Sequence, residues 1–299
     1  MMSEAIKTKN WIKKDNLKGM LFILPAFLLL LTFGILPLIL SVIRSFQDYT
    51  TKEFVGFDNF DYIFKTPSFM KSFINVILFT ILVVIIMVPI TFLFAHTISK
   101  LTPKWQSVIK TIIYIPGILS GIVVSIMFTF ILNYGGGLIS SIFISNGKEP
   151  IAFMVQGYWP IVAIIVPTVW LGFGYNSLLM YASLINIPKE YFEAAEIDGA
   201  GFWGKLFYIT IPNMKNTFIF IIITLTTGTL QMLEIPYFIT GGGPLEMTLT
   251  PALYLFNSFR DINRSPNVTI AGALIIMIVI VIINAITFRL LKSKETDSY

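Results

Sequence analysis

The sequence predicts an all-α, polytopic membrane protein with six transmembrane helices, and three observations predict it. Of 299 residues, 56% are hydrophobic and only 12% are charged, and mean hydropathy is +0.81, a balance foreign to soluble globular domains. Six apolar runs reach the roughly 20 residues that a helix needs to cross hydrocarbon: 19 to 43, 72 to 99, 108 to 133, 159 to 183, 213 to 239 and 268 to 290. The cationic residues fall unevenly between the segments that join these runs, as cytoplasmic flanks demand.

Taken in order, residues 1 to 18 are a basic cytoplasmic segment, 19 to 290 a six-span membrane domain and 291 to 299 a cytoplasmic tail. The first run follows basic residues as a signal peptide does, but it is long and no small-residue cleavage site follows it, so it reads as a retained anchor. Lys7, Lys9, Lys13, Lys14, Lys18, Lys100, Lys104, Lys110, Lys189, Lys205, Lys215, Arg289, Lys292 and Lys294 lie on one side. These are 14 of the 21 Lys and Arg. Arg44, Lys52, Lys65, Lys71, Lys148, Arg260 and Arg264 lie on the other. Both termini are therefore expected in the cytoplasm, in a multi-pass protein of the cell membrane.

Outside, residues 44 to 71 interleave aromatic and polar side chains, suiting a short amphipathic segment at the headgroups. Pro89, Pro116 with Gly117 and Gly121, Pro167 with Gly172 and Gly174, and Gly228 with Pro236 interrupt the spans. In lipid such interruptions survive where neighbouring helices or a cavity satisfy the freed backbone groups. Their concentration in spans 3, 4 and 5 points to a pathway there. After span 5, TGGGP at 240 to 244 reads as a flexible loop.

The loop 184 to 217 is polar in a chain that is mostly hydrocarbon. Pro188 suits a first helical turn, Glu190 complements the helix dipole, and Gly199 ends the helix. On that helix Glu190, Glu193 and Glu196 share one arc, and Tyr191, Ala194 and Ala195 the opposite one. Gly199, Ala200 and Gly201 turn into a second, aromatic helix (FWGKLFYI), and Pro212 begins span 5. Two readings fit the pattern, a helix docked on a soluble partner or an amphipathic helix lying on the membrane.

Several function classes are excluded by what is missing. With no Cys, thiol chemistry and Cys-based metal sites have no ligand, and one His makes a poor start for a zinc centre. No GxxxxGK[ST] cradle binds nucleotide, and no HExxH or Ser/His/Asp grouping indicates a membrane enzyme. The net charge of +5 belongs to topology rather than to nucleic acid. An ion-coupled carrier keeps ionisable groups in its spans; here the spans hold almost none, His96 near the cytoplasmic end of span 2 and Glu234 near the outer end of span 5, the latter either snorkelling, paired with another chain or relaying protons. A carrier or channel remains the alternative to a core driven from outside.

The run Glu193, Ala194, Ala195, three residues, Gly199, nine residues, Ile209, Thr210, Ile211, Pro212 resembles the EAA loop of ABC-type importer permeases. It departs from that pattern only in Ile211 for Leu. The stretches FVGFDNF, YIPGILSG, WLGFGY and ITGGGP extend the likeness over nearly the whole chain, toward the first of two permeases in carbohydrate importers of the maltose and glycerol-3-phosphate type. The resemblance implies the type I ABC importer permease fold and a di- or oligosaccharide cargo. It implies a second six-span permease in a heterodimer, two ABC ATPase subunits carrying ATP and Mg, and an extracytoplasmic sugar-binding protein. No cofactor on this chain itself is implied.

It further implies that Glu193, Ala194, Ala195, Asp198, Gly199 and Gly201, within the loop 188 to 212, couple to the ATPase. Counting between shared anchors carries the family's sugar-contacting positions to Gly117, Gly121, Thr168, Leu171, Gly172, Leu225, Thr229 and Met232. Gly117, Gly121, Leu225 and Met232 lack the polar side chains that such a role asks for. Trp170, Tyr175, Asn176, Gln231 and Glu234, with aromatic faces and polar groups, form a second rank. Leu225, Thr229 and Met232 recur at i, i+4, i+7, a spacing that serves pore lining and packing equally.

Overall fold

The computed structural model describes residues 19 to 291. The basic segment 1 to 18 and Lys292 and Lys294 of the tail lie outside the described residues. The chain divides into two units, Met1–Ile63 with Ile262–Leu274 and Phe64–Asp261 with Ile275–Tyr299.

In the first unit, α1 (Gly19–Ser45) is long and apolar enough to cross a membrane. All its large apolar side chains are exposed, which water would not tolerate and hydrocarbon does. A wider π-turn at Leu31–Ile35 precedes Pro37. Proline removes one backbone donor and pushes on the carbonyl four residues back, and the wider turn absorbs both. Beyond α1, Phe46 packs on Phe57 and Phe60 with ring centroids 5.3 and 5.2 Å apart. The Asn59 amide donates to the Ser45 and Gln47 carbonyls, tying α2 (Asp58–Phe64) to the end of α1. The amphipathic segment expected at 44 to 71 is thus a folded aromatic knot.

The second unit holds α3 (Pro67–Ser99), α4 (Pro103–Ile118) and α5 (Gly121–Ile131). There follow α6 (Leu138–Ser145), α7 (Trp159–Ile185), α8 (Lys189–Ile197) and α9 (Phe202–Asn213). Next come α10 (Lys215–Leu230), α11 (Glu234–Ile239) and α12 (Pro251–Arg260). The last helix, α13 (Pro266–Leu291), runs through both units. The core of the second unit is the pairing of α3 with α7, flanked by α10. Phe69, Ser72, Val76, Phe79, Val83, Met87, Thr91, Ala95 and Ile98 of α3 are all buried. Their alternation of three and four residues is the stripe that one helix presents to another. Buried Thr91 sends its hydroxyl to the Met87 carbonyl, so the stripe carries no unspent donor there.

Spans 1, 2, 4 and 6 are continuous, and α3 and α7 run through Pro89 and Pro167. Spans 3 and 5, expected as single helices, are bent. α4 and α5 meet at 93°, and α9 and α10 at 66°. In span 3 the bend falls at Leu119 and Ser120, just after Pro116 and Gly117, where Leu119 turns extended and the Ser120 hydroxyl accepts from the Val123 amide to start α5. The fifth run breaks twice, at Met214 and at 231 to 233. Pro212 therefore lies inside α9, which carries a π-turn at Leu206–Thr210 before it, and the straight part of the span begins only at Lys215.

The TGGGP loop is pinned rather than loose. Thr248 bonds to the Thr240 hydroxyl and the Gly243 carbonyl, and Asn75 of α3 donates to the Glu246 and Leu249 carbonyls.

Candidate functional site

The polar loop folds as a helix, a glycine turn and a second helix. Pro188 caps α8, one position before the first turn that its ring suits. Gly199 ends α8 at φ +76, a left-handed conformation that costs any residue with a Cβ. The Ala200 amide closes the turn on the Ala195 carbonyl at 2.8 Å. Glu193, Ala194, Asp198, Gly199 and Gly201 are all exposed and Ala195 is partly so. Ile197 beside them is 88% exposed, an apolar side chain in open view on a short polar helix. Glu196, on the same arc as Glu193 and exposed like it, is paired with Lys205 of α9, so the loop spends that carboxylate on its own closure.

The base of the loop is buried. Ile187 sits with Ala95 of α3, Met180 of α7, and Met214 and Ile221 at the start of span 5, and Phe192 of α8 packs against the same cluster. A close-packed contact of this kind passes displacement on rather than absorbing it. A second link is aromatic. Phe202 of α9 meets His96 at 5.9 Å, His96 stacks on Phe92, and Phe92 meets Phe218 of α10 at 5.8 Å. Neither Phe192 nor Phe202 is among the residues singled out from the sequence. Their signal is only an aromatic at the apolar edge of an otherwise polar loop.

The membrane positions separate into two groups. Gly117 and Leu171 come together, since a Cβ on Gly117 would lie 3.6 Å from the Leu171 carbonyl oxygen. Gly121 and Glu234 also meet, the carboxylate lying on the bare Cα of the glycine. Gly117, Trp170, Tyr175, Gln231 and Glu234 are exposed. By contrast Thr229 and Met232 are buried at 3% and 8%, Met232 in the core with Phe79, Val83 and Ile164 and with Leu225 against it. The Thr229 hydroxyl donates to the Leu225 carbonyl and the Thr168 hydroxyl to the Ile164 carbonyl, each within its own helix. Gly172 faces Met87 and Asn176, and the Asn176 amide donates to the Gly172 carbonyl. Asn176 Oδ1 and Ser177 Oγ of α7 are buried without a protein hydrogen-bond partner among the described residues.

A contact that sequence reasoning passes over fixes these groups in place. Gly174 is buried, and its Cα faces the backbone of Ile113 and Tyr114 in α4, bringing α4 and α7 to the small-residue approach typical of membrane helices. Among the described residues no three His, Asp or Glu gather as a metal site.

Comparison with known proteins matches residues 94–294 to the family described as binding-protein-dependent transport system inner membrane component. The chain is 30% identical to the lactose transport system permease protein LacF of Rhizobium radiobacter, over 89% of this chain and 91% of that protein. It is 29% identical to the arabinooligosaccharides transport system permease protein AraP of Bacillus subtilis, over 93% and 89% respectively. Among solved structures it resembles a chain of a bacterial ABC transporter involved in the import of the acidic polysaccharide alginate. The TM-score is 0.81 at 20% identity, covering 95% of this chain and 98% of that one. At that identity the likeness speaks for the fold, which is that of an ABC importer permease.

Proposed function

The chain belongs to the family of binding-protein-dependent transport system inner membrane components, and we propose that it is the permease subunit of an ATP-driven importer of carbohydrate. The observation that carries the reading is the loop 188 to 212. Its EAA spacing is displayed on an exposed helix, ended by Gly199, whose base is buried among α3, α7 and α10. The relatives named for lactose and arabinooligosaccharides support a di- or oligosaccharide as cargo.

In this reading both termini and the loop face the cytoplasm, and the TGGGP loop faces outside, where a binding protein delivers the sugar. A second permease completes the path. Two ATPase subunits, holding ATP and Mg, dock on the permease pair, and one of them seats α8, with Glu193 against its cations and Ile197 in an apolar groove. The chain itself catalyses no reaction. Closure of the ATPases pushes α8, and the packing of Ile187 and Phe192 passes that push to three spans at once. The ATPases drive the cycle only by gripping α8 differently in the inward- and outward-facing states, since equal affinity for both shifts no population.

Exposed Gly117, Gln231 and Glu234 beside the helix breaks, and exposed Trp170 of α7, line the path, with Gly121, Leu171 and Gly172 beside them. Thr168 and Leu225 are partly buried, and Thr229 and Met232, buried in the core, reach it only by rearrangement of the helices. Co-purification of this chain with its partners, followed by ATP hydrolysis in response to binding protein loaded with each of a panel of saccharides, tests the reading. A complex that forms but answers to no saccharide would refute the cargo, and one that transports without ATPase subunits would refute the mechanism.

A further inference from the structure

We propose that Glu234 sets the charge class of the cargo: its carboxylate takes hydrogen bonds from the hydroxyls of an uncharged saccharide and turns acidic saccharides away. The inference rests on the carbohydrate reading above.

Glu234 is the sole Asp or Glu in the six apolar runs. An ionisable group within such a run is costly and faces another chain, a watered cavity or the membrane interface. It is exposed in this chain, and among the described residues no cation pairs with it. Nor is one at hand, since α5, α7 and α11 contain no Lys or Arg.

Two helix breaks converge on this carboxylate. Glu234 opens α11, directly after the break at 231 to 233, which the Thr250 hydroxyl holds by donating to the Met232 carbonyl at 2.6 Å. Gly121 opens α5, directly after the bend in span 3. A Cβ on Gly121 would overlap the Glu234 Oε2 and stand 3.2 Å from its Cδ, so the carboxylate lies where it does only because residue 121 has no side chain. Further along α5, Phe128 meets the Trp170 ring edge to face at 5.8 Å. Phe128 and Gly121 are seven residues apart, two turns on one face of the helix and about 10 Å along its axis. One face of α5 thus has an aromatic ring at one end and a bare carboxylate at the other.

A carboxylate only accepts hydrogen bonds, and sugar hydroxyls supply donors for charge-assisted bonds. The acid group of a uronate or a sulfonated sugar supplies acceptors and a second negative charge, and the low dielectric of a membrane path strengthens that repulsion.

The test uses the complete complex with its binding protein in proteoliposomes. Uptake of lactose, maltotriose, arabinotriose and trigalacturonate is measured, with binding of each to the binding protein measured separately. Wild type should import one or more uncharged saccharides and no trigalacturonate. In Glu234→Gln the KM for the imported saccharide should rise about 10- to 100-fold, the usual worth of a hydrogen bond to a charged group, with a much smaller change in maximal rate. Gly121→Ala, which displaces the carboxylate, should raise KM likewise, and the double variant should be no worse than either single one. Import of trigalacturonate by wild type, an unchanged KM in Glu234→Gln, or additive effects in the double variant would each overturn the inference. If the assembled wild-type complex imports no saccharide, the carbohydrate reading falls and this inference with it. Wild-type import with indifferent variants removes this inference alone.

Discussion

Gly174 offers a measurable test of how tightly α4 and α7 are locked. A Cβ at this position would lie 2.8 Å from the Ile113 carbonyl carbon and 3.0 Å from Tyr114 Cα, and would overlap the Ile113 oxygen. Non-bonded carbons settle at about 3.5–4.0 Å and the overlapping oxygen needs still more relief, so Gly174→Ala forces the two helices apart by roughly 1 Å or more. The atoms struck are backbone and cannot rotate away. Overpacking of this kind costs about 1–3 kcal/mol, and the better helix propensity of alanine returns about 1 kcal/mol at most. The net loss expected is about 1–2 kcal/mol, or a fall in midpoint of about 2–8 °C for a domain of this size. Gly228→Ala is the matched control, because α10 has open space there and only the propensity gain applies. Thermal unfolding of both variants in the purified complex, followed by tryptophan fluorescence, makes the comparison. A Gly174→Ala protein as stable as Gly228→Ala would show that the close approach is not a constraint and would refute the reasoning.

Other expectations follow from the same geometry. Glu193→Lys should abolish co-purification of the ATPases and ATP-coupled uptake while membrane insertion, read by protease protection, stays intact; normal uptake would sink the coupling role of α8. Gly199→Val forces a β-branched residue to φ +76, at a cost of about 1–2 kcal/mol, and should loosen the end of α8, measured as faster amide exchange at 194 to 200 and reduced uptake. Gly172→Trp should block uptake without releasing the ATPases, whereas Gly172→Ala, which meets chiefly the flexible end of Met87, should transport. The backbone amides of Thr51 and then Thr50 hold the Asp48 carboxyl below the usual carboxylate range. A lowered folded-state pKa contributes order that is present above the unfolded pKa and lost as pH falls through the folded one. Amide protection at Thr50 and Thr51 should therefore fall on acidification below the ordinary Asp range, and Asp48→Asn should remove that pH dependence.

The polar loop 184 to 217 was the most legible part of the candidate site, because its signals are local. A proline, a glycine and a fixed spacing specify where a short helix starts and stops, and α8 falls within one or two residues of its expectation. The spans were legible as apolar runs for a similar reason, since crossing hydrocarbon is a requirement on composition and length. The path was less so. The spacing of Leu225, Thr229 and Met232 marks one helix face without saying what it meets, and in this structure core packing claims Thr229 and Met232.

By itself the sequence determined that the chain is a bundle of apolar helices, which joining segments are basic, and that a polar EAA loop precedes the fifth span. Those properties follow from solvation and from backbone chemistry over a few residues. Only the tertiary structure decided that span 3 bends by 93° just after Pro116 while Pro89 and Pro167 sit in unbroken helices, that Gly174 is a contact and Gly228 is not, and that Glu234 lies on Gly121. Each of these depends on which backbone arrives opposite a residue more than 50 positions away, and no local pattern encodes that arrival.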